Sequence, residues 1–282
     1  MLSYRHSFHA GNFADVLKHV VLVEMLDHLI QKETPFEYID THSGAGLYHL
    51  ESDDAQKLQE HANGIGQLSA KDFPEIGRYF EMIQSLNPPN TLAVYPGSPV
   101  IAQHFLRPQD RAWLFELHPQ DYERLVNNMR SSGRISKKIQ LRCENGFNGL
   151  NALLPPSCRR GLVLVDPSYE IKSDYERVIE RVMGSYKKFS NGVYAIWYPV
   201  VDRHRIEAME EQLLKSGIKN IQRFELGIAE DSAAQGMTSS GMIVINPPWT
   251  LYKKMFDLLP KLALQLAQGD ASFFKCDVLS AE

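Results

Sequence analysis

The chain has 282 residues, of which 44% are hydrophobic and 23% are charged, and its formal net charge is -4. This composition predicts an ordinary globular protein that is large enough for one sizeable domain, and it excludes extended disorder. The first residues lack the apolar core of a signal peptide and no stretch approaches the roughly 18 apolar residues of a membrane helix, so we expect a cytoplasmic protein outside the membrane.

Charge and cysteine content narrow the function classes further. An acidic balance excludes the broadly basic surface that is typical of nucleic-acid-binding proteins, so contact with a nucleic acid would depend on local basic patches. A short basic run of this kind is more often part of the solvated surface than a nucleic-acid-binding site. The candidates are residues 4–6, 130–138, 157–161 and 202–205. The three cysteines lie far apart without metal-ligand spacing, so we expect neither a disulfide framework nor a bound metal.

The first third of the chain predicts a long helix, a strand and an insertion. Residues 14–33 have helical periodicity, and His19 shares an apolar face of that helix, where a histidine usually belongs to the core. Residues 36–40 predict a short strand that runs into a glycine-bearing turn. Residues 50–90 are polar, contain helical segments and show no convincing strand. We therefore predict a helical insertion subdomain at 50–90.

From about residue 95 onwards, strands and helices alternate almost to the last residue. The predicted strands cover residues 112–118, 139–145, 161–168, 192–200, 221–228 and 241–249. Alternation of continuous apolar strands with helices indicates a parallel sheet that is covered on both faces. Together with the strand at 36–40 this gives an α/β sheet of seven strands. The last one should run antiparallel, because no full helix separates it from the strand before it.

Ligands of an open parallel sheet bind beyond the carboxyl ends of its strands, so the residues at these ends are the candidate site. Four successive ends carry Asp40 with the turn Gly44-Ala45-Gly46, then Glu116, then Asn145-Gly146-Phe147, and finally Asp166-Pro167-Ser168-Tyr169. Each alone is equally typical of a tight turn or a helix start. The series is the layout of S-adenosylmethionine-dependent methyltransferases, whose glycine turn passes the cofactor, whose second-strand acid holds the ribose and whose third-strand turn holds the adenine. We therefore predict a Rossmann-like methyltransferase fold with S-adenosyl-L-methionine as cofactor.

Two tetrapeptides compete for the catalytic position. Asn246-Pro247-Pro248-Trp249 matches the motif of amino-methylating enzymes better by composition than Asp166 to Tyr169, which has Ser168 in place of a proline. In this fold the catalytic tetrapeptide ends the fourth strand, whereas residues 246–249 end the antiparallel strand. We therefore expect residues 246–249 at the opposite edge of the sheet, as a strand end followed by a helix start.

Methyl transfer to an adenine amine requires that a poor nucleophile is held at attack distance and angle. The side chain of Asp166 and the carbonyl of Pro167 would accept hydrogen bonds from the amino group, and Asp166 would take the released proton. Tyr169 would stack on the flipped or unpaired base. Ser168 loosens the loop and leaves both acceptors in place.

Seven segments of the chain together resemble the bacterial RlmJ family: MLSYRHSFHAGNFADVLKH, YIDTHSGAGLY, YPGSP, ELHP, RRGLVLVDPSYE, YAIWYPV and GMTSSGMIVINPPW. The resemblance implies a methyltransferase domain with a small helical insertion. It also implies methylation of an adenine N6 in 23S ribosomal RNA, at adenine 2030 in the family, on bare or partly assembled RNA.

The resemblance also implies roles for individual residues. The family's cofactor contacts fall on His19, His42, Ser98, Glu116, Asn145, Gly146 and Asp166, which join Gly44 of the glycine turn. A cofactor contact at His19 differs from the core position that the helical spacing of His19 favours. Tyr4, in the N-terminal arm of residues 1–13, would contact the substrate. Besides Ser168, the chain departs from the family at Asn145, where aspartate is usual; asparagine keeps an acceptor for adenine and adds a donor.

Several alternatives stay open on the sequence alone. DNA adenine or protein glutamine methylation would use the same tetrapeptide, and a protein of this fold could bind RNA without catalysis, given Ser168 and Asn145. We expect residues 1–49 and 91–282 to form the methyltransferase domain, 23S rRNA to be the partner, and the protein to act as a monomer.

Overall fold

The computed structural model describes residues 5–131, 138–171, 173–231 and 236–281. Its strands are β1 (Glu37–Asp40), β2 (Leu47–His49), β3 (Val94–Pro96), β4 (Arg111–Phe115), β5 (Ile139–Arg142), β6 (Gly161–Val165), β7 (Val193–Val200), β8 (Ile221–Gly227), β9 (Ser239–Ile245) and β10 (Phe273–Ser280). Its α-helices are α1 (Phe13–Ile30), α2 (Asp53–Leu58), α3 (Gly77–Leu86), α4 (Ser98–Phe105), α5 (Pro119–Ser131), α6 (Gly146–Leu153), α7 (Asp174–Lys188), α8 (Arg203–Lys215) and α9 (Leu251–Gln265).

The main sheet has the order β10-β8-β9-β7-β6-β1-β4-β5. Neighbouring strands among β5, β4, β1, β6 and β7 pair in parallel, which requires crossover connections between the strands along the chain. Strand β9 runs antiparallel to both β7 and β8. The predicted Rossmann-like methyltransferase fold is confirmed, and so is the antiparallel strand predicted at 241–249, which the structure places at 239–245. The order changes direction beside β1, so the sheet opens a crevice at the carboxyl ends of β1 and its neighbours.

The predicted number of strands was wrong. The main sheet has eight strands, because β10 pairs antiparallel with the outer side of β8. Its sequence FFKCDVLS mixes apolar and charged residues, and most of its side chains are only partly buried. An edge strand of this kind lacks both the continuous apolar run and the clean alternation that identify strands in a sequence. Two further short strands, β2 and β3, form a separate antiparallel pair.

Helix α1 is buried on nearly all sides, which explains its mostly apolar sequence. One side packs against β7, β8 and β9, and the others contact α3, α4 and α9. Helices α6, α7 and α8 contact one another in series and pack on β4 and β7. Within the described ranges, no helix is both long and apolar enough to cross a membrane.

The segment between β2 and β3 consists of α2, α3 and short 3-10 turns. One of these turns lies directly against the chain that leads into α1, since Ile65 donates its backbone N–H to the carbonyl of Gly11 at 2.9 Å. A Cβ on Gly64 would lie 2.1 Å from the same carbonyl oxygen. Only glycine at 64 allows the two backbones to approach this closely, so the segment is docked on the start of α1.

The motif at 246–249 lies at the edge of the sheet away from the carboxyl ends of the parallel strands. In the β7–β9 pairing, Ile245 at the end of β9 faces Tyr194 at the start of β7. The side-chain amide of Asn246 donates to the carbonyls of Ser190 and Gly192, at 2.7 and 2.8 Å. Asn246 therefore holds the loop before β7.

Candidate active site

A cavity of about 910 Å³ opens at the carboxyl edge of the sheet. Its walls come from the N-terminal segment, from α1 and from the turns that follow β1, β4, β5, β6 and β7. The structure brings the predicted residues of the described chain together in this cavity. They are His19, His42, Gly44, Ser98, Glu116, Asn145, Gly146, Asp166, Pro167 and Tyr169. Tyr4 and most of the basic run at 130–138 lie outside the described residues.

The turns after β1 and β4 are tied together by Glu116. Its carboxylate accepts the backbone N–H of Gly44 at 2.8 Å and that of His118 at 2.7 Å. Burial raises the pKa of Glu116, and these two hydrogen bonds oppose the rise. Each carboxylate oxygen has a second lone pair, so Glu116 can still accept hydrogen bonds from a pair of hydroxyls. Gly44 has a φ of 58°, the left-handed conformation that favours glycine.

The turn after β5 approaches the turn after β1 as closely as two backbones can. A Cβ on Gly146 would lie 2.0 Å from the carbonyl oxygen of Thr41. Asn145 caps α6, since its side-chain oxygen accepts the N–H groups of Phe147 and Asn148 at 3.0 and 3.3 Å. The capping bonds occupy the acceptor that we assigned to adenine recognition. The amide nitrogen of Asn145 is therefore the group that can address a ligand in the cavity.

Asp40 supports the site from behind the cavity wall. It is fully buried and accepts hydrogen bonds from Ser98 at 2.6 Å, from Tyr38 at 2.9 Å and from the N–H of His42 at 3.2 Å. Burial raises its pKa to about 6. The hydroxyl of Ser98 donates its proton to Asp40, so Ser98 faces a ligand as an acceptor.

The two predicted cofactor-contacting histidines are neutral groups of the wall. Burial lowers the pKa of His19 to about 3 and that of His42 to about 4. His19 is 1% exposed and its Nδ1 pairs with the hydroxyl of Tyr95 at 2.8 Å. His19 thus combines both expectations, because it is a core residue of α1 and also borders the cavity. His42 meets the edge of Phe147 with ring centroids 5.1 Å apart.

At the end of β6, Asp166 is bound to a lysine that the sequence reasoning missed. The ammonium of Lys18 lies 2.7 Å from Oδ2 of Asp166 and 2.9 Å from Oδ1 of Asp15. It also lies 5.4 Å from the centre of the Trp197 ring. Lys18 is 4% exposed, so this ion pair is shielded from water. The signal in the sequence was a lysine among apolar residues, three positions after an aspartate on the same helix.

The charges of this cluster depend on burial and on pairing. Burial disfavours the ammonium of Lys18, but Asp15 and Asp166 outweigh it and raise its pKa above the ordinary value. Burial raises the pKa of Asp166, and Lys18 opposes this rise. Burial also acts to raise the pKa of Asp15, yet His6 and Lys18 hold it well below its usual range. Asp15, Asp166, Lys18 and His6 therefore form one network of paired groups beside the cavity.

The side chain of Tyr169 is fixed by a hydrogen bond and by a ring contact within the protein. Its hydroxyl donates to the carbonyl of Trp197 at 2.7 Å, and its ring centre lies 4.5 Å from that of Tyr175. Its φ of 53° is a left-handed conformation, which strains a residue with a side chain. Tyr169, Tyr175 and Trp197 therefore form one fixed aromatic wall beside Asp166.

Two of the basic patches have structural partners. Arg160, of the run at 157–161, donates to the carbonyls of Leu29 in the last turn of α1 and of Thr34 just after α1, and it does not line the cavity. Arg203, of the run at 202–205, pairs with Glu225 at 2.8 Å and Asp231 at 2.7 Å. Arg205 of the same run does line the cavity.

This sheet order, with a glycine turn, Glu116 and an Asp-Pro-x-Tyr tetrapeptide at the strand ends around one cavity, is that of a Rossmann-like methyltransferase. The comparisons with known proteins agree. The model of the family described as "Ribosomal RNA large subunit methyltransferase D, RlmJ" matches residues 33–275. The chain belongs to the RlmJ family, as its motifs predict.

Relatives of known name are similar over nearly their whole length. "Ribosomal RNA large subunit methyltransferase J" of Haemophilus influenzae is 51% identical over 277 residues, which cover 97% of each chain. The protein of that name from Escherichia coli is 47% identical over 268 residues, 94% of each chain. A crystal structure of a Legionella pneumophila protein has a TM-score of 0.84 at 36% identity, covering 96% of this chain and 98% of that one.

Proposed function

We propose that the protein transfers a methyl group from S-adenosyl-L-methionine to the N6 amino group of an adenine in 23S rRNA, at the position that corresponds to adenine 2030. The observation that carries this proposal is Asp166, a partly buried carboxylate at the end of β6 inside the cavity, followed by Pro167 and the aromatic Tyr169. Membership of the RlmJ family supports the substrate class, as do the names of the two curated relatives.

The residues of the cavity fit this cofactor. Glu116 offers two acceptors for the ribose hydroxyls, and Phe147 with the amide of Asn145 borders the place for the adenine ring. The sulfonium of the cofactor is a cation, which the carboxylates that line the cavity would favour. Bound there, the cofactor would supply a methyl group activated by that positive charge. His19, His42, Gly44, Ser98 and Gly146 would complete its surroundings.

The protein's own contribution is to position the amine and to control one proton. Lys18 engages Oδ2 of Asp166, so Oδ1 and the carbonyl of Pro167 are the acceptors for the two amino protons. These hydrogen bonds aim the nitrogen lone pair at the methyl group. The new N–C bond forms with the lone pair, the S–C bond breaks with its electrons on sulfur, and Asp166 accepts the proton before water removes it.

The substrate side of the site follows from the same geometry. Tyr175 and Trp197 extend the aromatic wall of Tyr169, and an unpaired base can pack against such a surface. Ser168 leaves the acceptors at 166 and 167 in place. We propose bare or partly assembled rRNA as the substrate, because a base must leave its stack to reach Asp166. Activity on such RNA would take place in the cytoplasm, by a monomer.

Transfer of a labelled methyl group to deproteinised rRNA, duplex DNA and total protein, measured in parallel, tests the proposal. We expect label in rRNA alone, at one N6-methyladenine. Asp166→Ala should abolish transfer while cofactor affinity, measured by calorimetry, changes little. Asn246→Ala is the control at the opposite edge and should leave transfer near wild type. Label only in protein, or equal losses from both variants, would overturn the assignment.

A further inference from the structure

Glu60, in the helical segment between β2 and β3, binds two side chains of the segment that leads into α1. Oε1 of Glu60 lies 2.9 Å from Nδ1 of His9, and Oε2 accepts the side-chain N–H of Asn12 at 2.9 Å. Ser7 adds a hydrogen bond to Asp54 at 2.8 Å. The N-terminal segment is thereby attached to the insertion by side chains as well as by backbone.

The contact at Glu60 continues into the site without a break. Asn12 caps α1, and its side-chain oxygen accepts the N–H of Asp15 at 3.0 Å. Asp15 holds Lys18 at 2.9 Å, and Lys18 holds Asp166 at 2.7 Å. The three residues between the ends of this chain are at most 5% exposed. No solvent-exposed flexible step therefore separates Glu60 from the carboxylate at the end of β6.

We infer that Glu60 is a positioning residue for methyl transfer: it fixes Asn12, and through Asn12 the first turn of α1, so that Lys18 presents Asp166 in the reactive orientation. The inference rests on the proposed function and assigns the insertion a part in the chemical step, apart from any contact with RNA. Errors of about 1 Å in the position of a reacting group cost up to about 100-fold in rate, so a remote anchor of this kind can be measured.

Glu60→Ala removes both hydrogen bonds. We expect the single-turnover rate of transfer to fall about 10-fold, while the Kd for S-adenosyl-L-methionine and the KM for rRNA stay within about threefold of wild type. Glu60→Gln keeps one acceptor but turns a second donor towards Asn12. Its rate should therefore lie between that of the wild type and that of Glu60→Ala. The matched control is Glu51→Ala, an exposed glutamate of the same insertion, which should behave as wild type.

A compensating pair of substitutions separates positioning from general damage to the fold. Asn12→Asp keeps the cap on Asp15 but places a carboxylate against Glu60, so it should lower the rate at least as far as Glu60→Ala. In the double variant Asn12→Asp/Glu60→Gln the amide and the carboxylate exchange places, and their hydrogen bond returns with reversed direction. We expect the rate of the double variant to recover severalfold over Asn12→Asp.

Three results would overturn the inference. They are a Glu60→Ala rate within twofold of wild type, a loss carried by the KM for rRNA alone, and no recovery in the double variant. If Glu60→Ala unfolds, the comparison of Asn12→Asp with the double variant decides. Rates are taken as ratios to wild type on whichever acceptor the wild-type protein methylates, so failure of the rRNA proposal and failure of the role of Glu60 are distinguished.

Discussion

Replacing Lys18 by methionine removes the cation that Asp15 and Asp166 share, while the size of the side chain is roughly kept. Without it, Asp15 stays buried and Asp166 stays partly buried. Burial already raises the pKa of Asp166, and Lys18 opposes that rise. An opposite charge at such a distance lowers the pKa of a carboxyl group, so Lys18→Met should raise the pKa of Asp166 further above its ordinary value.

The sign of the effect on rate follows from the charge that the reaction needs. Asp166 accepts the proton only when ionised, and the ionised fraction grows with pH. The acid limb of the pH–rate profile should therefore move to higher pH, and the variant should recover activity as the pH rises. Breaking a buried ion pair costs about 3–5 kcal/mol of folding free energy, which for a domain of this size lowers Tm by about 6–20 °C.

Single-turnover transfer to 23S rRNA, measured across pH with folded protein at each point, provides the assay. Lys32→Met is the matched control, because Lys32 is exposed just after the same helix. An unmoved acid limb with a rate lowered equally at every pH would refute the reasoning. In that case Lys18 would act on the substrate directly and would not control the ionisation of Asp166.

Two further predictions concern the surroundings of the cofactor. Gly146→Ala would place a Cβ 2.0 Å from the carbonyl oxygen of Thr41, so the two turns must separate, and calorimetry should show the Kd for S-adenosyl-L-methionine rising more than about 10-fold. Asp40 has a pKa raised to about 6, so its protonated form favours the folded state, and this stability is lost as pH rises from about 4 to 6. Asp40→Asn should flatten that slope in urea unfolding, whereas a slope equal to wild type would assign it to other groups.

The strand ends could be located from the sequence because parallel strands buried on both faces leave long apolar runs whose last residues are easily seen. Asp166 and Glu116 follow such runs, and topology alone then brings them to one edge. The same argument separated Asp166 from Asn246, since an antiparallel strand reverses the edge at which its end lies. The order of the strands along the sheet, and not the composition of the two motifs, predicted that Asp166 lies in the cavity and Asn246 at the opposite edge.

The features that were missed depend on contacts between distant parts of the chain. Strand β10 has half-exposed, mixed residues, and only its pairing with β8 makes it a strand. Lys18 looks like an ordinary helical lysine until Asp166, 148 positions later, arrives beside it. Asn145 was expected to read adenine with its oxygen, but the helix that begins at the next residue takes that oxygen as a cap.

The position of β9 between β7 and β8 also determines when the protein can become active during its synthesis. β7 and β8 are synthesised before β9, yet in the native sheet they are not neighbours. The position between them is filled only when β9 has left the ribosome. Trp197, which borders the cavity, donates its indole N–H to Ser240 of β9 at 2.7 Å. A nascent chain that ends before β9 therefore carries every residue of the tetrapeptide at 166–169 but an unfinished wall. Catalytic competence should appear only after nearly the whole chain has been translated.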